Sequence, residues 1–136
     1  MLFRSQNWAD IYSAFFFAHG HSVWEKQASA AGIPSYEYLF TRKNGRLGDW
    51  HSGEEVYFYG NIPPDSALYN ADDRELSEIM QRYFVNFIRS CDPNGEGLPE
   101  WPANTGADGR LLILDREVRM GTDPFAALYP VLDAEP

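Results

Sequence analysis

Between Asp72 and Ser90 the apolar residues recur with the period of an α-helix. Leu76, Ile79, Met80, Tyr83, Phe84, Phe87 and Ile88 fall on one stripe. A stripe this wide must be buried against other elements, so the helix dictates that something packs on it. Asp72 or Asp73 supplies its start, and Cys91-Asp92-Pro93-Asn94-Gly95 breaks it. The stripe reads as core rather than as a cofactor box.

Upstream, Asp10 caps a predicted helix from about Ile11 that carries Ile11, Ala14, Phe15, Phe17 and Ala18. The Phe15-Phe16-Phe17 run is apolar nearly all round, which suits a helix buried on more than one side. Gly20 is expected to interrupt it, with a second helix from Ser22 to Ala31, stopped by Gly32 with Pro34 beyond. Ser35 to Thr41 then reads as a buried strand with Tyr36, Tyr38 and Phe40 on one face, and Lys43-Asn44-Gly45-Arg46 as a turn. Residues 61–70, with Pro63-Pro64, form a loop. Gly97 to Pro102 is a rigid extended stretch. Leu111-Leu112-Ile113-Leu114 and Glu117-Val118-Arg119-Met120 are short strands around an Asp115-Arg116 turn. Phe125 to Leu132 is a terminal helix cut by Pro130. No repeat, low-complexity tract or interdomain linker is visible, and 136 residues make one domain at most.

A net charge of −9 repels phosphate backbones and anionic lipid, which sets the chain against nucleic-acid and membrane-surface partners. No run approaches the roughly 18 apolar residues of a membrane span. The opening Met1-Leu2-Phe3-Arg4-Ser5-Gln6-Asn7-Trp8 lacks the basic start and apolar run of a secretory signal, which favours the cytoplasm. The single cysteine, Cys91, excludes an internal disulfide and a Cys-based zinc site, and reads as a small buried residue. Aromatic residues make up 15% of the chain, much ring surface for so small a body, which hints at a piece that packs against something larger.

The segment Gly48-Asp49-Trp50-His51-Ser52-Gly53-Glu54-Glu55-Val56-Tyr57-Phe58-Tyr59-Gly60 carries the chemistry. It sets a histidine in a turn after the strand, with an acid three residues on and an aromatic run behind. A fixed imidazole takes and returns a proton near neutral pH. Ser52 is not its nucleophile, because adjacent residues in a turn rarely face one another. His19-Gly20-His21 reads as a helix break with two exposed imidazoles rather than as a metal pair, and no metal or cofactor is expected.

Taken together, these elements resemble the C-terminal portion of a type B carboxylesterase, the family of the cholinesterases and of bacterial esterases acting on p-nitrobenzyl esters. That family carries Gly-x-x-His-x-x-Glu, then an aromatic stretch ending in Phe-Gly. Here these are Gly48, His51, Glu54 and Tyr57-Phe58-Tyr59-Gly60. An amphipathic helix then leads to Gly-Asp-Pro-Asn and Trp-Pro, matched by Asp92-Pro93-Asn94-Gly95 and Trp101-Pro102. Asp10 and Gly32-Ile33-Pro34-Ser35-Tyr36-Glu37-Tyr38 resemble the helix start and the strand before the histidine. The chain departs from the pattern at Glu55, where an aliphatic residue is usual, and at Cys91, where glycine is usual. It also has no Gly-x-Ser-x-Gly nucleophile elbow.

The resemblance implies an α/β fold, the C-terminal part of an α/β-hydrolase, with residues 1–136 an incomplete segment of a single domain. It implies a carboxylic-ester hydrolase working through a Ser-Glu-His acyl-enzyme on a small-molecule ester. Of that triad the chain carries only the base, His51. Glu54 is then a supporting acid near the site; as a bare feature it is a helix-start carboxylate. Trp50 walls the substrate pocket or belongs to ordinary core. The contrasting reading is a non-catalytic protein of the same fold, as in the family's adhesion members, or an inactive truncated fragment. The strand and the wide helix stripe are too much for so few elements to cover, so a complementary N-terminal segment or self-association is expected.

Overall fold

The computed structural model describes residues 5–43, 51–105 and 109–134, with side chains from residue 8 onward. Gly48, Trp50 and most of the predicted turn at residues 43–46 lie outside the described residues. The chain divides into two compact units, one of residues 1–37, 103–111 and 122–136, the other of residues 38–102 and 112–121.

The first unit is dominated by one long helical run. Helix α1 (Ser5–Ser13) passes through a π-helical segment (Ala14–Ala18) directly into α2 (His19–Ala30). Gly20 therefore does not interrupt the helix, contrary to the sequence expectation. Its backbone stays helical, and a Cβ there would meet nothing within 4 Å. The extra residue of the register is taken up by the π segment, the usual form of such an insertion. The Phe run within it is not buried on several sides either: Phe15 and Phe16 are 56% and 59% exposed. Helix α2 ends as predicted, with Gly32 at φ +69 and the Ile33 N–H donating to Ala28 O at 2.9 Å. A single antiparallel bridge joins Ser35 to Asn104. After a 3-10 turn (Ala126–Leu128), α5 (Tyr129–Leu132) carries Pro130 in its first turn, where no N–H is needed, so the proline starts this helix instead of cutting one.

In the second unit the predicted strand at Ser35 to Thr41 shortens to β1 (Tyr38–Phe40), and it is half-buried rather than buried, Tyr38 being 36% exposed. It pairs in parallel with β2 (Arg110–Leu114) in the register Tyr38 to Leu112, Leu39 to Ile113 and Phe40 to Leu114. Parallel neighbours require a long crossover. Here it contains α3 (Glu55–Phe58) and α4 (Ala71–Ser90). A third strand, β3 (Arg119–Thr122), completes the sheet order β1-β2-β3, displaced by two residues from the predicted one.

Helix α4 anchors this unit. Leu76, Met80 and Tyr83 are almost completely buried, each stabilising by roughly 1.5–3 kcal/mol. Beyond Tyr83 the stripe emerges: Phe84, Phe87 and Ile88 are exposed, so only its first half is core in this chain. The helix end is knitted to the extended stretch after it. Asn94 accepts the Trp101 N–H at 2.7 Å and donates to Trp101 O at 2.8 Å, while Tyr83 Oη donates to Pro99 O at 2.6 Å. Cys91 is exposed, not buried, and sits at the helix C-cap with φ +58, the left-handed conformation that glycine adopts without cost.

The start of α4 is a capping box at Asn70, two or three residues earlier than the predicted Asp72 or Asp73. Asn70 Oδ1 accepts the Asp73 N–H at 3.2 Å, and Asp73 Oδ2 accepts the Asn70 N–H at 2.7 Å. The other oxygen, Asp73 Oδ1, accepts Arg42 Nε at 2.6 Å and Tyr57 Oη at 2.9 Å. Asp73 is 1% exposed. Burial alone would raise its pKa, but hydrogen bonds from Arg42, the Asn70 backbone and Tyr57, with the Arg42 charge, hold it below the usual carboxylate range. Its stabilising contribution is therefore present above the ordinary carboxylate pKa and is lost as pH falls through the depressed folded value. Asp73→Ala should cost about 3–5 kcal/mol in urea denaturation at pH 7, because it removes half of the capping box and the shortest partner of a nearly buried guanidinium, which among the described residues keeps only Asn70 Oδ1 at 3.3 Å and Asp72 at 4.0 Å. The deficit should shrink on acidification below pH 4; an equal deficit at pH 3 and pH 7 would contradict the assignment.

Candidate active-site histidine

The Asp73 carboxylate closes a chain segment. Arg42 lies two residues past the end of β1, and Tyr57 lies in α3. Both donate to the same oxygen, so two residues that flank His51 in sequence meet on one atom. The Tyr57 backbone is fixed as well, since Ser77 Oγ on α4 donates to Tyr57 O at 2.8 Å. Its ring packs against Phe40 of β1 at 5.1 Å and Tyr69 at 5.9 Å. Helix α3 is only one turn long and has no side-chain cap, so these contacts, not its own hydrogen bonds, hold it.

His51 is exposed, in the turn 51–54 that leads into α3. Ser52 after it adopts φ +63, and Gly53 is buried beneath the turn. The Glu55 N–H donates back to Ser52 O at 3.2 Å. Glu54 is half-buried at the N-cap of α3, where its charge is felt by Tyr38 of β1. Burial first, then the Glu54 and Glu55 charges, push the Tyr38 hydroxyl up to about 12. Glu54 thus occupies the helix-start position that the bare sequence suggested, and it does so beside the strand that precedes the histidine. The aromatic run ends at Gly60, where φ is +65 and a Cβ would fall 2.6 Å from Gln81 Oε1. The left-handed φ favours glycine here, while the Gln81 side-chain end that a Cβ would meet can swing aside.

His19 and His21 do not form a metal pair. Two residues apart on a helix they point to different faces. Nor are both simply exposed imidazoles: His19 Nε2 is 2.7 Å from Asp133 Oδ1, while His21 lines a small cavity with Glu25. Among the described residues no group of three or more His, Cys, Asp or Glu is arranged to hold a metal.

A carboxylesterase family profile matches residues 3–129. The chain belongs to the carboxylesterase family. The carboxylesterase chain is 28% identical over 111 residues to carboxylesterase 1C of Rattus norvegicus, covering 76% of this chain and 20% of that protein. It is 36% identical over 104 residues to carboxylesterase 5A of Felis catus, covering 67% of this chain and 19% of that protein. Carboxylesterase EST55 of Geobacillus stearothermophilus superposes with a TM-score of 0.76 at 26% identity, over 90% of this chain and 26% of that one. The chain thus corresponds to a C-terminal portion of a type B carboxylesterase, part of an α/β-hydrolase fold, and spans about a fifth of the length of these curated relatives.

The histidine turn at 51–54 is legible in the sequence, whereas the Arg42–Asp73–Tyr57 clamp is not. The visible signal was Asn70-x-x-Asp73, a capping box whose acid has a second oxygen to spare. Ser52 and Cys91 hold left-handed backbone at a cost of about 1–2 kcal/mol each. Ser52→Gly and Cys91→Gly should each raise stability by up to about 1 kcal/mol in urea denaturation, and Ser52→Val should lower it. A loss on introducing either glycine would show that these backbones are not strained.

Proposed function

We propose that His51 is the general base of a serine carboxylesterase acting on small-molecule carboxylic esters. In this reading a serine hydroxyl attacks the ester carbonyl while His51 takes its proton. The tetrahedral oxyanion collapses to the acyl-serine, and the leaving alcohol receives the proton back from the imidazolium. Water then repeats the sequence and frees the acid. The serine, the acidic partner Glu and the oxyanion-hole donors belong to sequence outside these 136 residues, since the chain carries no Gly-x-Ser-x-Gly.

The observation that carries the reading is the exposed His51 in the turn that leads into α3, whose Tyr57 is held by Asp73, in a chain of the carboxylesterase family. A general base must be held to within a fraction of an ångström yet remain open to substrate. Glu54, beside it, is assigned a supporting role: its charge helps fix the field around the turn. A fluorophosphonate probe should label no serine of the isolated chain. Co-expressed with an upstream carboxylesterase segment that supplies the elbow, the combined protein should hydrolyse p-nitrophenyl esters. His51→Ala should then reduce turnover by roughly 10³-fold or more. Retention of activity within tenfold would remove His51 from the mechanism.

We infer as well that this chain pairs with a complementary segment of the domain or with itself. Trp8, Tyr12, Phe15 and Phe16 on the long helical run are all more than half exposed, and so is Ile88 on α4. At micromolar concentration, light scattering should report association and a hydrophobic dye should bind. A dye-silent monomer would contradict the inference.

A further inference from the structure

The first unit holds a group of polar side chains that ester hydrolysis does not use. The carboxyl groups of Glu25, on α2, and Glu37, just before β1, are hydrogen-bonded to each other. Asp123 lies near enough for its charge to act on Glu37, accepts the Phe125 N–H at 2.8 Å and takes a short hydrogen bond from Tyr129 Oη. Glu25 and Asp123 are each 7% exposed. Glu25 and Glu37 line a cavity of about 90 Å³ together with His21, Trp24, Ser35 and Tyr36. Ser35 is 6% exposed, and among the described residues its Oγ has no hydrogen-bond partner. An unpaired buried hydroxyl is costly, and one that lines a cavity marks a place where a partner belongs.

Two carboxyls and a hydroxyl exclude an anion. The described residues hold no group of His, Cys, Asp or Glu fit for a metal. Among charged ligands that leaves an organic cation rich in N–H donors. The volume is about that of three waters, enough for a planar three-nitrogen group. Trp24, 63% exposed, lines the same cavity with an indole, a ring on which such a plane can stack. A guanidinium meets both demands, since its planar fork donates to paired carboxylates and its face stacks on aromatic rings, whereas an ammonium, a point charge that can also sit over a ring, has neither the fork nor the plane.

We propose that the cavity bounded by α2 and the Ser35–Glu37 segment binds a guanidinium group, donating to Glu25, Glu37 and Ser35 Oγ with its plane against Trp24. The group belongs to an arginine side chain of another polypeptide segment or to a small free guanidine. Binding displaces a proton. Burial first, then the hydrogen bond and charge of Glu25 and the charge of Asp123, push the Glu37 carboxyl up to about 8. The groups facing it are Glu25 and His21 from α2, and Asp123 and Tyr129 from the segment after β3. At pH 6 the carboxyl pair keeps its shared proton and competes with the cation. Near pH 8 it yields the proton, so affinity rises with pH by up to about tenfold per unit.

The test is a titration of the full 136-residue chain, followed by the Trp24 indole N–H and Ser35 amide resonances, at pH 6 and pH 8. The probes are methylguanidinium, a short arginine-bearing peptide, and methylammonium as control. Saturable shifts at millimolar methylguanidinium or peptide, at least about tenfold tighter at pH 8, support the site. Binding of the peptide points to a polypeptide arginine, and binding of methylguanidinium alone to a free guanidine. Glu37→Gln, which mimics the neutral acid, should keep the fold and abolish the pH dependence. Should that variant not fold, the pH dependence of the unmodified chain decides by itself. No saturable shift, a shift independent of pH, or equally tight methylammonium would overturn the proposal.

Discussion

One carboxylate ties the end of β1, α3 and the start of α4 together. Asp73 uses one oxygen to cap α4 through the Asn70 backbone and the other to hold Arg42 and Tyr57 together. A pair of charges inside a protein gains little on balance, because desolvation offsets attraction. Its value here is geometric. Helix α3 is one turn long and is not held by its own hydrogen bonds. The carboxylate ties it to Arg42, just past β1, and the 51–54 turn leads directly into that helix.

The same second unit shows how the aromatic content is used. Phe40 meets Tyr57, Tyr38 meets Phe58, and Tyr83 meets Trp101, with ring centroids 5.1, 5.5 and 5.2 Å apart. These are tilted or edge-on contacts, the arrangement that aromatic quadrupoles favour. They join β1, the helix after the histidine, α4 and the extended Trp101 stretch into one small core. Its limit is visible on α4, where the apolar stripe runs on past Tyr83 into solvent. The helix is longer than the core that this chain builds for it, as expected of a segment spanning about a fifth of its relatives.

What the sequence made legible follows the strength of the periodic signal. The stripe from Leu76 to Ile88, the glycine stop at Gly32 and the β2 run Leu111 to Leu114 are read directly from spacing and turn chemistry. The long first helix was misjudged at Gly20, because a glycine costs a helix only about 1 kcal/mol and neighbouring turns absorb it. Pro130 was misread for the related reason that a proline in a helix's first turn lacks nothing. The Arg42–Asp73–Tyr57 clamp and the Glu25–Glu37 pair join residues far apart in sequence, which no local pattern encodes. Of the site, the histidine turn was legible through its resemblance to the carboxylesterases; what holds it was not.

Amide hydrogen exchange of an Asp73→Asn variant tests most directly whether Asp73 holds α3, the helix that the histidine turn leads into. The substitution keeps the shape and removes the charge that Arg42 and Tyr57 share. In native conditions the amides of Tyr57, Phe58, Tyr59, Gly60 and Asn61, which donate within and just beyond α3, should lose protection together, while those in the middle of α4 stay slow. Unchanged protection across residues 57–61 would contradict the claim and leave the position of His51 to contacts other than this carboxylate.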